Sequence, residues 1–348
     1  MMRLAAVVAA AILTLITAAR AGEATPLFSD DAAIDIKLIG PIKEITRTAA
    51  KSTDSHPATL ELVGASAETH AIELSARGLS RRERKVCQFP PLRVRFVEKP
   101  GDESLFRKQG TLKLVTHCRS AASFQQYTLL EYTAYRLLNA LTPASFRVRL
   151  ANVEYIDEKT GKRIAARIGF FIEDVDDVAK RVDMKEVERP QIEIAQLDPE
   201  AAATAILYQY MIGNLDWDVL YGPPGESCCH NGKMIGARAD AETALVPAPY
   251  DFDYSGFVDA PYATPPEGFS ISSVRTRVYR GFCRHNDETA AAAARFRGLK
   301  AELVATLDGT PGLANRTRSK AARYLGGFFD IIEDAGTVET KLLGKCRG

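Results

Sequence analysis

The sequence predicts an α+β protein of two lobes: an N-terminal antiparallel sheet lobe carrying one helix, then a mainly helical C-terminal lobe. Between Ile34 and Ile172, short segments carry apolar residues in the strand-like pattern of a half-buried sheet, with Pro, Ser, Thr and Asp punctuating them. From Asp198 onward helical signals take over, beginning with a run from Ala201 to Ile212 that is apolar nearly all round. Residues 22–348 also exceed the ~100–200 residues usual for one domain. The change of character at the acidic connector Glu173-Asp-Val-Asp-Asp177 puts the division near residue 175. The expected boundaries are therefore a cleaved leader over 1–21, a flexible N-terminus over 22–33, a sheet lobe over 34–174 and a helical lobe over 175–348.

Met1-Met-Arg3, an apolar run from Leu4 to Ala19 and the small residues of Ala19-Arg-Ala21 have the layout of a secretory signal peptide. The alternative, a membrane anchor, needs a run of ~20 apolar residues, longer than this one. No cysteine follows the cleavage site, which argues against a lipoprotein anchor, and no later apolar run suffices to span a bilayer. A periplasmic or secreted location is expected.

Strands are expected over Ile34–Ile39, Ala58–Val63, His70–Ser75, Leu92–Val97 and Thr111–Thr116, with Arg77-Gly-Leu-Ser-Arg-Arg82 a turn rich in donors. A helix should run from Gln125 to Leu141, where Leu129, Leu130, Thr133, Ala134, Leu137 and Leu138 form one stripe and Pro143 blocks continuation. Strands over Phe146–Ile156 and Ile164–Ile172 close the first lobe. In the second, Asp198-Pro-Glu200 supplies a cap and a proline at the first helical position, so a buried helix should follow. Gly222 to Ser227 is a Gly/Pro-rich loop, and Ala290–Leu303 and Arg318–Ile332 are helical in propensity.

Net charge is +1 with 26% charged residues, which argues against a nucleic-acid partner. The basic group Arg77, Arg81, Arg82, Arg84 and Lys85 lacks the interleaved aromatics of a nucleic-acid surface. Cys87, Cys118, Cys228, Cys229, Cys283 and Cys346 form an even set, so disulfides are the default on an exported chain. Their pairing is left open, and a structural zinc site is the lesser alternative because no C-x-x-C pair exists.

Walker, G-x-G-x-x-G, G-x-S-x-G and H-E-x-x-H motifs are absent. Asp216, Asp218, Asn231, Asp251 and Asp253 remain as oxygen donors bracketing one region, suited to a hard cation such as Mg²⁺. Phosphoryl transfer needs that metal, a carboxylate to accept the hydroxyl proton and a cation on the phosphates. Lys113, between Leu112 and Leu114, faces the other way from both, and Glu131 could hold it by a salt bridge. The plainer readings are a solvated Lys113 and Glu131, aspartates acting as turn caps, and a core Trp217.

Five stretches carry a family resemblance: Arg77-Gly-Leu-Ser-Arg81 before a strand; Lys113 in Leu-Lys-Leu; the helix Leu-Leu-Glu-Tyr-Thr-Ala-Tyr-Arg from Leu129 with Phe146-Arg-Val-Arg-Leu150 after it; the connector Phe-Phe-Ile-Glu-Asp-Val-Asp from Phe170; and Gly213-Asn-Leu-Asp216 with His230-Asn231 and Asp251-Phe-Asp253. Their order over roughly residues 70–257 resembles the CotH-like atypical kinases, secreted or spore-coat relatives of the protein kinases. The resemblance implies a bilobal protein-kinase-like fold, Lys113 on the nucleotide phosphates with Glu131 as its partner, and Asp216 as catalytic carboxylate. Asn231 and Asp251 would hold Mg²⁺ or Mn²⁺, with Asp253 supporting. Arg77, Ser80 and Arg81 would replace the glycine-rich loop, and the connector at Glu173 would receive adenine. The loop between Asp216 and Asn231 is longer than in an ordinary kinase. The expected function is an exported kinase transferring phosphate from ATP to a hydroxyl of an envelope or secreted protein or a glycan. Two other classes stay open: a catalytically inactive kinase-like envelope binding module, and a metal-dependent hydrolase using Asp216, Asp251 and Asp253.

Overall fold

The structure, a computed structural model, describes residues 22–348; the expected signal peptide lies outside the described residues. Residues 22–33 pack where the sequence suggests a flexible end. Leu27 and Phe28 are buried, the Gly22 amide donates to the Arg181 carbonyl, Asp30 pairs with Arg149 at 3.2 Å and Asp31 with Arg136. One apolar pair among small polar residues is enough to seat this segment.

The N-terminal elements are β1 (Ile34–Gly40), α1 (Ile42–Thr48), β2 (His56–Val63), β3 (Glu68–Ala76), β4 (Leu92–Phe96), β5 (Thr111–Val115), α2 (Gln125–Leu141), β6 (Val148–Asp157) and β7 (Arg163–Ile172). Their alternation buries one face. Ile36, Leu38, Leu60, Leu74, Val94, Leu112, Leu114, Val153 and Phe171 share one apolar cluster.

The expected fold class, a kinase-like bilobal protein with an antiparallel sheet lobe and one helix, is overturned. The seven strands close into a barrel in the order β1-β2-β3-β4-β5-β7-β6. Closure comes from a parallel pairing of β1 with β6, running from Ile34 opposite Ala151 to Gly40 opposite Asp157. All other neighbours in the barrel are antiparallel. Closure satisfies the backbone donors and acceptors that an open sheet leaves at its edges. Alternation along a strand reveals which face is buried but not which strand lies beside it, so an extra N-terminal strand reads the same in an open sheet and in a barrel. This region also carries two helices, α1 and α2, rather than one.

The rest of the chain forms α3 (Val175–Arg181), β8 (Lys185–Glu186), α4 (Pro199–Ile212), β9 (Gly232–Gly236), β10 (Val246–Pro249), α5 (Asn286–Gly298), α6 (Lys300–Asp308), α7 (Asn315–Ile331) and α8 (Ala335–Lys341). Strands β8, β9 and β10 make a small antiparallel sheet. The Asp198 side chain caps α4 through the Ala201 amide at 2.8 Å, and every residue from Ala202 to Ile212 is buried. Gly213 ends the helix in the left-handed conformation, φ 62°, which glycine adopts without a Cβ penalty. Although α2 precedes the acidic connector in sequence, Leu129, Leu137 and Leu138 pack with Leu207 and Met211 of α4 and Phe328 of α7 in a second apolar cluster. Helix α2 therefore lies between the barrel and α4.

The cysteines pair as Cys87–Cys118, Cys228–Cys229 and Cys283–Cys346. No thiolate is left among the described residues for the zinc alternative. Among the same residues no helix is long and apolar enough to cross a membrane.

Candidate functional site

Three acidic or amide residues follow α4, and their local bonding separates them. Asn214 is buried and its Oδ1 accepts from the Asp216 amide at 3.1 Å, so it acts as a turn cap. Asp218 likewise accepts from the Leu220 amide at 2.8 Å and pairs with Arg280 at 3.0 Å. Trp217 is core: its indole donates to the Asn214 carbonyl at 2.8 Å, and the Arg280 guanidinium lies 4.4 Å above its ring. Asp216 differs from its neighbours. Its Oδ1 lies 2.8 Å from His230 Nε2 and its Oδ2 accepts from Asn231 Nδ2 at 3.0 Å. The hydrogen bond to Asp216 raises the His230 pKa against the opposing effect of burial.

The long loop expected between Asp216 and Asn231 does not separate them. Its base is pinched by bonds from the Asp218 amide to the His230 carbonyl and from the His230 amide to the Tyr221 carbonyl. The excursion through Gly222 and the Cys228–Cys229 pair thus leaves and returns at one point. Asn231 stands in the left-handed region, φ 50°, as does Asp251, φ 63°, a conformation that costs a non-glycine residue about 1 kcal/mol or more and is least unusual for Asn and Asp.

Asp251 follows β10, and the Tyr250 amide donates to the Asn231 carbonyl at 3.1 Å, so the two loops are stitched together. On the other side, oxygens of Glu131, Asp251 and Asp253 all lie within 4.8 Å of one another. Arg81 fills the space among them. Its guanidinium donates to Glu131 at 3.0 and 3.3 Å and to Asp251 at 2.9 Å, and its Nε is 3.3 Å from Asp253. Burial opposes charge on Arg81, but Asp253 and Glu131 outweigh it and hold the guanidinium protonated. Burial pushes the Glu131 and Asp253 carboxyls above the usual range, and Arg81 pulls both back. Tyr262 donates to Asp253 at 3.0 Å and the Tyr135 hydroxyl accepts from the Asp251 amide at 2.8 Å.

The expected Lys113–Glu131 salt bridge is replaced by Arg81–Glu131, because Arg81 reaches the buried carboxylate from the turn after β3. Leu112 and Leu114 fill the barrel, and Lys113 points the other way, 5.1 Å from the Tyr250 ring and 6.0 Å from that of Phe146. It makes no ion pair among the described residues. Burial, then the nearby Arg77, lower the Lys113 pKa to about 8. Ser80 is exposed beside Arg81. Glu173 stands apart. It is fully buried, its carboxylate takes Arg181 at 2.7 Å and the Arg147 amide at 2.9 Å, and its own amide bonds the Arg147 carbonyl. That carboxylate fastens α3 to the start of β6.

The structure thus places Lys113 over the Tyr250 ring, bonds Asn231 to the Tyr250 amide and Asp216 to Asn231, and sets Asp251 beside Tyr250 in the chain, with Glu131 and Asp253 held on Arg81. Sequence reasoning missed Tyr135, Tyr250 and Tyr262, and treated His230 only as a neighbour. Tyr135 could have been found, since it sits four residues after Glu131 on the same face of α2.

No family model matches the chain, and no curated protein does. Among solved structures it is similar to the Helicobacter pylori proinflammatory kinase CtkA at 11% identity, covering 73% of this chain and 92% of that one with a TM-score of 0.39. A likeness at that level assigns neither a fold nor an activity to this chain.

Proposed function

We propose that this chain is an exported phosphotransferase that moves a phosphoryl group from a nucleoside triphosphate to a hydroxyl of a protein or glycan. The observation that carries the reading is Lys113, a half-buried cation that makes no ion pair among the described residues and lies near Arg77, Asp174 and Asp251. Burial and Arg77 outweigh the attraction of Asp174 and Asp251 for this ammonium, and a phosphate entering between Lys113 and Arg77 would add negative charge beside it. Asp216, oriented by His230 and Asn231 and still half-exposed, has the bonding of a carboxylate that accepts the proton of an attacking hydroxyl. This role assignment follows the resemblance to the CotH-like kinases.

Divalent metal fits one side of the acidic cluster and not the other. Inside the buried triad, Arg81 already supplies the positive charge, so Asp253 and Glu131 serve the guanidinium. Half-exposed Asp251 gives one oxygen to Arg81 at 2.9 Å; its other oxygen, with Asn231 across the stitched loops, is of the type Mg²⁺ takes alongside phosphate. When bound there, the ion would neutralise charge on the transferred phosphate.

Thermal unfolding with ATP and Mg²⁺, together with label transfer from the γ-phosphate to an envelope extract, tests the proposal. A rise in melting temperature and labelled acceptor are expected. Asp216→Ala should abolish transfer and keep the nucleotide-dependent shift, and absence of both shift and label in the parent chain refutes the reading. One observation favours the inactive alternative, a nucleotide-binding envelope module: Arg81 neutralises the carboxylates nearest Asp251. That alternative predicts a shift with ATP alone, no further shift with Mg²⁺ and no transfer.

A further inference from the structure

A second cluster of charge lies away from Lys113. Helix α7 carries Arg316, Lys320 and Arg323 at spacings of four and three residues, which places them on one face. Arg275 and Arg277, from the segment before α5, stand opposite. These five cations line a cavity of about 670 Å³. Arg275 at 3.2 Å and Lys320 at 2.7 Å share a single carboxylate, Asp259. Arg316 and Arg323 are exposed and make no ion pair among the described residues. Like charges at these helical spacings destabilise a helix in isolation, so the face gains from an anion.

The floor of the cavity is built rather than incidental. Tyr324 is buried, with the Arg277 guanidinium 3.8 Å and the Arg275 guanidinium 4.8 Å from its ring centre. Arg277 is held by the Met211 carbonyl at 3.1 Å and the Tyr324 carbonyl at 2.6 Å. The Tyr324 hydroxyl donates to the Arg275 carbonyl at 3.2 Å. Both guanidiniums are thus fixed before any ligand arrives, and planar forks of this kind match phosphate oxygens.

We propose that this cavity binds a compact soluble oligophosphate or phosphate ester carrying several negative charges. Five cations against one carboxylate call for a multiply charged partner. The pocket is concave, and among the described residues none of the exposed large hydrophobics, Val63, Leu79, Val97 and Tyr221, lies on α7 to anchor a lipid surface. Its aromatic ring lies beneath guanidiniums and offers no face on which nucleic-acid bases could stack. The cavity floor also packs against two glycines that flank the candidate centre in sequence. A Cβ at Gly213, the residue before Asn214, would lie 1.9 Å from the Tyr324 hydroxyl, and one at Gly256 would lie 2.4 Å from it. The inference stands independently of phosphoryl transfer.

Calorimetric titration of the full chain with inorganic tripolyphosphate tests it, beside sulfate at matched ionic strength and vesicles containing phosphatidic acid. In the Lys113→Met variant, where the phosphate site proposed above is disabled, tripolyphosphate should still bind, at least tenfold tighter than sulfate. Placed in that background, the Arg316→Ala/Arg323→Ala double variant should bind it at least tenfold more weakly. Both substituted positions are exposed, so folding is retained, which circular dichroism checks. Equal binding of sulfate and tripolyphosphate overturns the proposal, because it reports ionic strength alone. Binding lost with Lys113→Met alone also overturns it, by moving the anion to the first site. Binding to vesicles without binding to tripolyphosphate overturns the choice of a soluble ligand.

Discussion

Replacing Lys113 by methionine should stabilise the free protein while removing the charge that a phosphate would meet. The methionine keeps the apolar stem that lies over Tyr250 and Phe146 and deletes only the ammonium. Burial and the Arg77 charge, against the attraction of Asp174 and Asp251, lower the lysine from 10.5 to about 8; at about 1.36 kcal/mol per unit the net shift corresponds to at most about 3 kcal/mol against the charged form, reduced by solvent screening because Lys113 is half-buried. The folded pKa is depressed, so between pH 8 and 10.5 the unfolded chain holds more protons than the folded one, and stability rises with pH across that window. Below pH 8 both states are protonated and the cost is fully present. Urea unfolding of the parent and Lys113→Met at pH 7, 8, 9 and 10 reads this directly. The variant should be more stable by about 1–3 kcal/mol at neutral pH, with the gap closing towards pH 10.5. A variant less stable than the parent at pH 7, or a gap that ignores pH, would refute the assignment of Lys113 as a half-buried cation whose charge the fold disfavours.

Arg81→Met leaves three carboxylates facing one another and should cost about 3–5 kcal/mol by chemical denaturation; adding Asp253→Asn to it should recover part of the loss, and additive costs would show that the charges do not interact. Gly213→Ala should destabilise because its Cβ would strike the Tyr324 hydroxyl, whereas in a Tyr324→Phe background the cost should fall to the ~1–3 kcal/mol of a left-handed non-glycine residue, and an unchanged cost would remove the steric explanation. Replacing both Cys283 and Cys346 by alanine opens a loop of sequence separation 63, for which chain entropy gives about 4 kcal/mol; a change in stability below 1 kcal/mol would mean that the C-terminal helices hold the chain end unaided.

The strands from β1 to β7 were legible because each carries its buried face in its own alternation, and α2 and α4 because their stripe, cap and proline are local. Barrel closure was not legible. It depends on β1 lying parallel to β6, more than a hundred residues away, and alternation is blind to partner and direction. The same limit applied at the site. Asp216, Asn231 and Asp251 could be chosen from residue type and order, but the distinction between Asp216 and its capping neighbours Asn214 and Asp218 depends on which donors the fold delivers to each.

By itself, the sequence determined the strands β1 to β7, the helices α2 and α4, the even cysteine set and a short set of oxygen donors with one strand lysine facing away from the core. All of these follow from periodicity, local capping and residue chemistry. Only the tertiary structure decided that the sheet closes, which cysteines pair, and that Glu131 belongs to Arg81 while Lys113 is left without a partner. Ion pairs and disulfides depend on distances of a few ångströms between segments tens of residues apart, and those distances exist only once the barrel and the helices have packed.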